Sequence, residues 1–234
     1  MTCEKLLVID KYLDQPQFFS TGNGGYLNTL HSAGIFGKGF KTFIENPQNV
    51  VAAYEDYDYF TARFSKEEVR HNLQTFMTKV SFSGEEQVLS VACGPLIYET
   101  FLSTNLFSKG RVFAVDLSRS LMKYGSEKLG QPKNLYLYEA NAQSLPFSSE
   151  VFDICFSYAA LHWIPDPEKA VKEIERVTKK GGFVHITYNP NFAGMETPLS
   201  KFIRAEQIIH DSSFTFVHPG FGEKETFREI IYKR

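Results

Sequence analysis

The chain is poor in the residues that mark specialised classes of protein. Its 234 residues include three cysteines, four methionines and one tryptophan. Cys3, Cys93 and Cys155 are odd in number and far apart, which argues against a disulfide framework and for a reducing compartment. No run approaches the ~18 apolar residues of a membrane span. The stretch Met1-Thr-Cys-Glu-Lys-Leu-Leu-Val-Ile-Asp10 is too short in its apolar part, and too charged on both sides, for a secretory signal. A cytoplasmic protein with no membrane partner is expected. A net charge of −2 gives no global attraction to phosphate backbones, so nucleic acid is not the expected substrate. The histidines (His31, His71, His162, His185, His210, His218) form no His-x-x-x-His pair, the cysteines no Cys-x-x-Cys pair, and no metal site is expected. There is no Gly-Lys-Ser/Thr phosphate loop, and Gly34-Ile-Phe-Gly-Lys-Gly-Phe40 follows no strand pattern.

What is present is a globular composition, 43% hydrophobic and 22% charged, enough to bury the core of one large domain or of one domain with an appendage. From about residue 86, short β-rich runs alternate with amphipathic patterns, the form of a parallel sheet covered by helices on both faces. The strand candidates are Gln87 to Ala92, Arg111 to Val115, Asn134 to Glu139, Phe152 to Ser157 and Gly182 to Tyr188. Between the last two, Asp166 caps a helix with Pro167 at its first position and Ala170, Val171, Ile174 and Val177 on one face. Lys179-Lys-Gly-Gly182 would end it. A second crossover helix starts at Ser118. Pro198 to His210 reads as a helix, and Phe214 to His218 and Phe227 to Tyr232 as an antiparallel hairpin.

Residues 1–85 differ. They are rich in Phe and Tyr and become helical late, where the capping box Ser65-x-x-Glu68 precedes a stripe of Val69, Leu73, Phe76, Met77 and Val80. The division expected is 1–85, a helical and loop segment serving as a lid, and 86–234, the ligand-binding domain. Tyr54, Tyr57 and Tyr59 are candidates to line an acceptor pocket, although an aromatic cluster also serves packing.

The chemistry concentrates in Val88-Leu-Ser-Val-Ala-Cys-Gly-Pro-Leu96, a buried strand that breaks into a turn before a helix. Asp116 closes the next apolar run, where a carboxylate can bind both hydroxyls of a ribose. Together they point to an adenosine-containing cofactor. A tight turn without ligand, and a capping role for Asp116, are the plainer readings, but Ser118 already serves as the cap. A nicotinamide enzyme would need the glycines of G-x-G-x-x-G, two of which are missing here.

Further on come Asn141-Ala-Gln-Ser-Leu-Pro-Phe147, Phe152-Asp-Ile-Cys-Phe-Ser157 and Ala159-Ala-Leu-His-Trp-Ile-Pro-Asp166. The series resembles the class I S-adenosylmethionine-dependent methyltransferases, in particular the small-molecule group of the ubiquinone and menaquinone biosynthesis enzymes and the trans-aconitate methyltransferases. The resemblance covers residues 86–188 and hardly touches the first 80. It implies an α/β, Rossmann-like sheet of seven strands, six parallel and one antiparallel, the seventh lying between the fifth and sixth. It implies S-adenosylmethionine as cofactor and a small-molecule methyl acceptor. Ala92, Cys93 and Gly94 would lie against the methionine part, Asp116 would hold the ribose diol and Leu117 would face the adenine. Asn141 would accept from the adenine amino group, Ala142 would pack beside the ring, and Ser157 and Tyr158 would face the cofactor. His162 is the one candidate for a catalytic base, with a structural role as the competing and favoured reading; Trp163 reads as a core or wall residue. Three positions depart from the pattern: Ser90 replaces the usual first-strand acid, Leu96 a glycine, and Asn141 an aspartate. A methyltransferase fold kept as a non-catalytic binding or regulatory module is the alternative.

Overall fold

The computed structural model describes residues 66–164, 166–191, 199–203, 207–217 and 224–234. Expectations for Ser65, Tyr54, Tyr57, Tyr59 and the glycine-rich stretch Gly34 to Phe40 lie outside them. In chain order the elements are α1 (Lys66–Asn72), α2 (Gln74–Lys79), β1 (Gln87–Val91), α3 (Ile97–Phe101), β2 (Arg111–Asp116), α4 (Arg119–Leu129), β3 (Leu135–Glu139), β4 (Phe152–Ser157), α5 (Pro167–Val177), β5 (Thr178–Tyr188), β6 (Ile208–Val217) and β7 (Lys224–Lys233). The sheet has seven strands in the order β3-β2-β1-β4-β5-β7-β6. Neighbours from β3 to β5 pair in parallel, and β7 runs antiparallel to both β5 and β6. This is the α/β sheet expected, with its seventh strand between the fifth and sixth.

Alternation along the strands sorts the side chains into two cores. On one face, Leu89, Val91, Phe113, Val115, Val184 and Ile186 meet the α5 stripe Ala170, Val171, Ile174 and Val177. On the other, Val88, Val112, Ala114, Ile154 and Phe156 meet α1, α2, α3 and Met122 of α4. The capping signals hold: Asp166 Oδ1 accepts from the Lys169 N–H, with Pro167 opening α5, and Ser118 Oγ accepts from the Leu121 N–H.

Three expectations need correction. The stripe from Val69 to Val80 belongs to two short helices, not one, separated at Leu73; Val69, Leu73, Phe76 and Val80 are nevertheless all buried. Lys179 to Gly182 do not end a helix: β5 already begins at Thr178. A register shift in its pairing with β4, and a left-handed Gly181 (φ 79°), absorb the extra residues. The helix expected over Pro198 to His210 is replaced, among the described residues, by a 3-10 turn at Leu199–Lys201 and by strand from Ile208. Ile208 and Ile209 are β-branched, and pairing with β7 (Ile208 opposite Tyr232, His210 opposite Ile231) satisfies the backbone there.

Candidate functional site

The carboxyl ends of β1, β2, β3 and β4 form one edge, and the candidate residues lie along it. The turn after β1 is left-handed at alternate positions, with φ 55° at Ala92, 56° at Gly94 and 64° at Leu96. A leucine ordinarily avoids the left-handed conformation that glycine allows. Leu96 adopts it and is wholly buried. The strain of roughly 1–2 kcal/mol is offset by burying a leucine side chain, worth roughly 1.5–3 kcal/mol. A Cβ added at Gly94 would meet nothing closer than Leu121 Cδ2 at 3.8 Å, so the turn is open on that side. Gly125, inside α4, is different: a Cβ there would run into the Pro95 carbonyl. That glycine lets α4 lie directly against the turn.

Asp116 joins the pieces. Its Oδ2 accepts from the Gly94 N–H at 2.8 Å and its Oδ1 from the Ser118 N–H at 2.8 Å. The carboxylate thus spans the β1 turn and the start of α4, while each oxygen keeps a second lone pair for a ligand. Burial pushes its pKa up, against the hydrogen bonds to Ser118 and Gly94. Leu117 lies half-buried beside it. The Ala140 N–H donates to the Asp116 carbonyl at 3.0 Å, bringing the end of β3 alongside. There Asn141 is exposed, its Oδ1 accepting from the Gln143 N–H at 2.9 Å, while Ala142 is buried in the α5-side core. The Asn141 oxygen is thus already part of a local turn and offers a ligand one remaining lone pair.

Ser157 and Tyr158 part company. Ser157 is wholly buried, and its hydroxyl has no hydrogen-bond partner. Tyr158 stacks on Tyr98 of α3, ring centroids 4.2 Å apart, and its hydroxyl donates to the Asn72 carbonyl of α1 at 2.7 Å. Asn72 Nδ2 in turn donates to the Tyr98 hydroxyl at 2.9 Å. One residue of α1 therefore clamps both rings. His162 sits in a 3-10 turn at Leu161–Trp163, buried, its Nδ1 accepting from the Asn189 N–H at 3.3 Å. Burial pushes its pKa down to about 3, so the ring is neutral and a weak base. Trp163 is half-buried beside it.

Residue-by-residue matching missed Glu99, one turn into α3 and 1% exposed. Ser90 Oγ donates to its Oε1 at 2.5 Å, while Oε2 is buried without a partner. Burial raises its pKa to about 7, and Asp116 adds to the shift. An acid at a core-facing helix position was the signal available. Gly125 could have been found as a glycine inside a helical pattern. An open turn, a diol-sized carboxylate at the end of β2 and unpartnered buried oxygens at Glu99 and Ser157 together fit an S-adenosyl group.

The comparisons agree with the geometry. Residues 89–186 match the family model described as a methyltransferase domain. The demethylmenaquinone methyltransferase of Staphylococcus epidermidis is 29% identical over 169 residues, 72% of this chain and 66% of that protein. That of Staphylococcus carnosus is 31% identical over 168 residues, again 72% and 66%. The chain thus spans just under two thirds of the length of these relatives. Among solved structures, an S-adenosylmethionine-dependent methyltransferase of Thermotoga maritima superposes with a TM-score of 0.55 at 18% identity, covering 79% of this chain and 96% of that one. The [4+2]-cyclase SpnF reaches 0.55 at 12% identity, covering 70% and 80%. With its motifs in order on a sheet whose seventh strand is inserted antiparallel, the chain has the fold of these methyltransferase structures, and its residues 89–186 match a methyltransferase domain.

Proposed function

We propose that the protein transfers a methyl group from S-adenosylmethionine to a small-molecule acceptor by direct displacement. The observation that carries this reading is the Asp116 carboxylate, held by the N–H groups of Gly94 and Ser118, which makes the turn and the ribose-binding acid one rigid unit. In this reading Ala92, Cys93 and Gly94 present backbone to the methionine part, Asp116 the ribose, Leu117 and Ala142 the faces of the adenine, and Asn141 its amino group. Ser157 offers its unpaired hydroxyl to the same edge. Bound S-adenosylmethionine supplies a methyl group already activated on a sulfonium. The chain's part is then to align the acceptor and keep water out, with the acceptor atom ~3 Å from the methyl carbon. His162, neutral and tied to Asn189, holds the loop after β4 and does not serve as a base.

The demethylmenaquinone relatives support a small-molecule acceptor, and so does the Tyr98–Tyr158 stack, which offers a flat aromatic wall next to α1. Residues 1–85 act as the cover over it, with α1 and α2 as the part that packs on the sheet. A cytoplasmic setting suits the free thiols of Cys93 and Cys155. The non-catalytic alternative draws on Asn141, whose oxygen is already engaged, and on the sharing of this fold with a cyclase. Calorimetric titration with S-adenosylmethionine and S-adenosylhomocysteine tests the reading. Both should bind, and Asp116→Ala should weaken both at least tenfold. Absence of heat at millimolar ligand would sink the enzyme, and binding unchanged by Asp116→Ala would sink the site.

A further inference from the structure

Strand β1 carries a serine where the resembling family has an acid, yet an acid is present in space. Glu99 reaches down from α3 to Ser90, which donates to its Oε1 at 2.5 Å, with both residues at most 2% exposed. That single hydrogen bond leaves Oε2 buried with nothing to accept from. An unsatisfied buried carboxyl oxygen is costly, and a fold keeps one where a ligand completes it. The surroundings say which kind. Ser90 from β1, Cys93 from the turn and Asp116 from β2 are the groups acting with or on Glu99; both acids act on Cys93, and Asp116 acts on Glu99. Among the described residues no cationic side chain acts on either Glu99 or Asp116. One buried and one half-buried acid around an open turn, with no counter-charge of their own, are complementary to a cation that carries N–H donors.

We propose that Glu99 is the acid that β1 lacks: Ser90 fixes one carboxyl oxygen, and the other receives the ammonium of the cofactor's amino-acid moiety. This rests on the reading that the edge binds S-adenosylmethionine, whose sulfonium offers no hydrogen to donate and whose adenosine end is assigned to Asp116 and Asn141. Ser90 is a positioning residue, acting through Glu99. The sign of the pH dependence follows. Burial holds the Glu99 pKa at about 7, so near neutrality a fraction of the molecules carry the protonated form. The ammonium favours the carboxylate, so binding releases a proton and affinity falls as the pH drops below about 7.

Calorimetry distinguishes the ammonium contact from the rest of the site, using S-adenosylhomocysteine and its deaminated analogue, in which the ammonium is replaced by hydrogen. Glu99→Gln should weaken S-adenosylhomocysteine roughly 10- to 100-fold while changing the deaminated analogue by less than about threefold. Ser90→Ala should move the pair in the same direction by a smaller factor, and serves if Glu99→Gln does not fold. Titrations at pH 7 in buffers of different ionisation enthalpy should show proton release for the wild type and none for Glu99→Gln. Equal weakening of both ligands, or of neither, would overturn the assignment of Glu99 while leaving the cofactor site standing. Failure of the wild type to bind either ligand would instead overturn the reading of the site, and this assignment with it.

Discussion

The two faces of the sheet are built from the same strands and do different work. Under α5, aliphatic and aromatic side chains close a continuous core: Ile174, Val171 and Val177 against Leu89, Val115 and Val184. Under α1 to α3 the apolar packing is interrupted by polar pairs that cross from strand to helix or from strand to strand. Ser90 meets Glu99, Tyr158 meets Asn72, and His185 Nε2 lies 2.8 Å from Glu229 Oε1 while its ring stacks on Phe76. Buried polar contacts of this kind add little net stability but fix positions, because each is costly when left half-made. The difference teaches where to look: the α5 face carries the fold, and the α1–α3 face sets the geometry at the end of β1 and β4.

The largest expected effect breaks the first half of that division. Ile174→Ala removes a fully buried side chain from the centre of α5 and should cost about 3 kcal/mol, within the range for such truncations. Urea denaturation would show it as a lower midpoint with unchanged slope, and the affinity for S-adenosylhomocysteine should be the same. A loss of affinity beyond about threefold at conditions where the variant is folded would show that the two faces are not separable.

A smaller effect comes from the turn itself. Leu96→Gly relieves the left-handed strain at φ 64° but deletes a wholly buried leucine of the α1–α3 core. The lost burial and cavity cost roughly 2–5 kcal/mol, the strain returned is roughly 1–2, and added chain entropy takes back somewhat under 1. The net should be a destabilisation of about 2 kcal/mol, read from the same denaturation curves. A stabilised variant would mean that the backbone strain outweighs the packing, and that glycine is the residue the turn prefers.

Much of the fold was legible because it rests on local signals that tertiary packing had no reason to override. The five parallel strands, the Ser118 and Asp166 caps and the α5 stripe each pair a period with a terminus. The helix expected over Pro198 to His210 failed because its apolar residues suit either period, and only β7, which follows it in sequence, decides that Ile208 and Ile209 pair as strand. Of the candidate site, Asp116 and the turn stand out in sequence because the chain places them at strand ends, and the structure joins them by a hydrogen bond. What sequence could not show is substitution in space. Ser90 looks like a lost acid until α3 folds over it and delivers Glu99, and Leu96 looks like a lost conformation until burial is seen to hold it there. Nor could sequence show that Asn72, far away in the chain, engages the Tyr158 hydroxyl.

The effect that is smallest near neutrality grows only in acid and concerns a residue of the loop after β4. His162 is held neutral by burial, with a folded pKa of about 3 against about 6.5 in an open chain. Its folded pKa lies below the unfolded one, so the unfolded chain takes up a proton first as the pH falls through about 6.5. Stability is then lost at roughly 1 kcal/mol per pH unit until the pH approaches 3. His185, also pushed down by burial, adds to the same limb. His162→Phe should leave stability at pH 8 nearly unchanged, since the Asn189 N–H it frees is only half-buried, and should flatten the limb between pH 6 and 4 by about one proton. Proton uptake measured on unfolding at pH 5 checks this directly. An acid limb identical in wild type and variant would mean that His162 titrates freely in the folded chain, and would reopen its candidacy as a base at the candidate site.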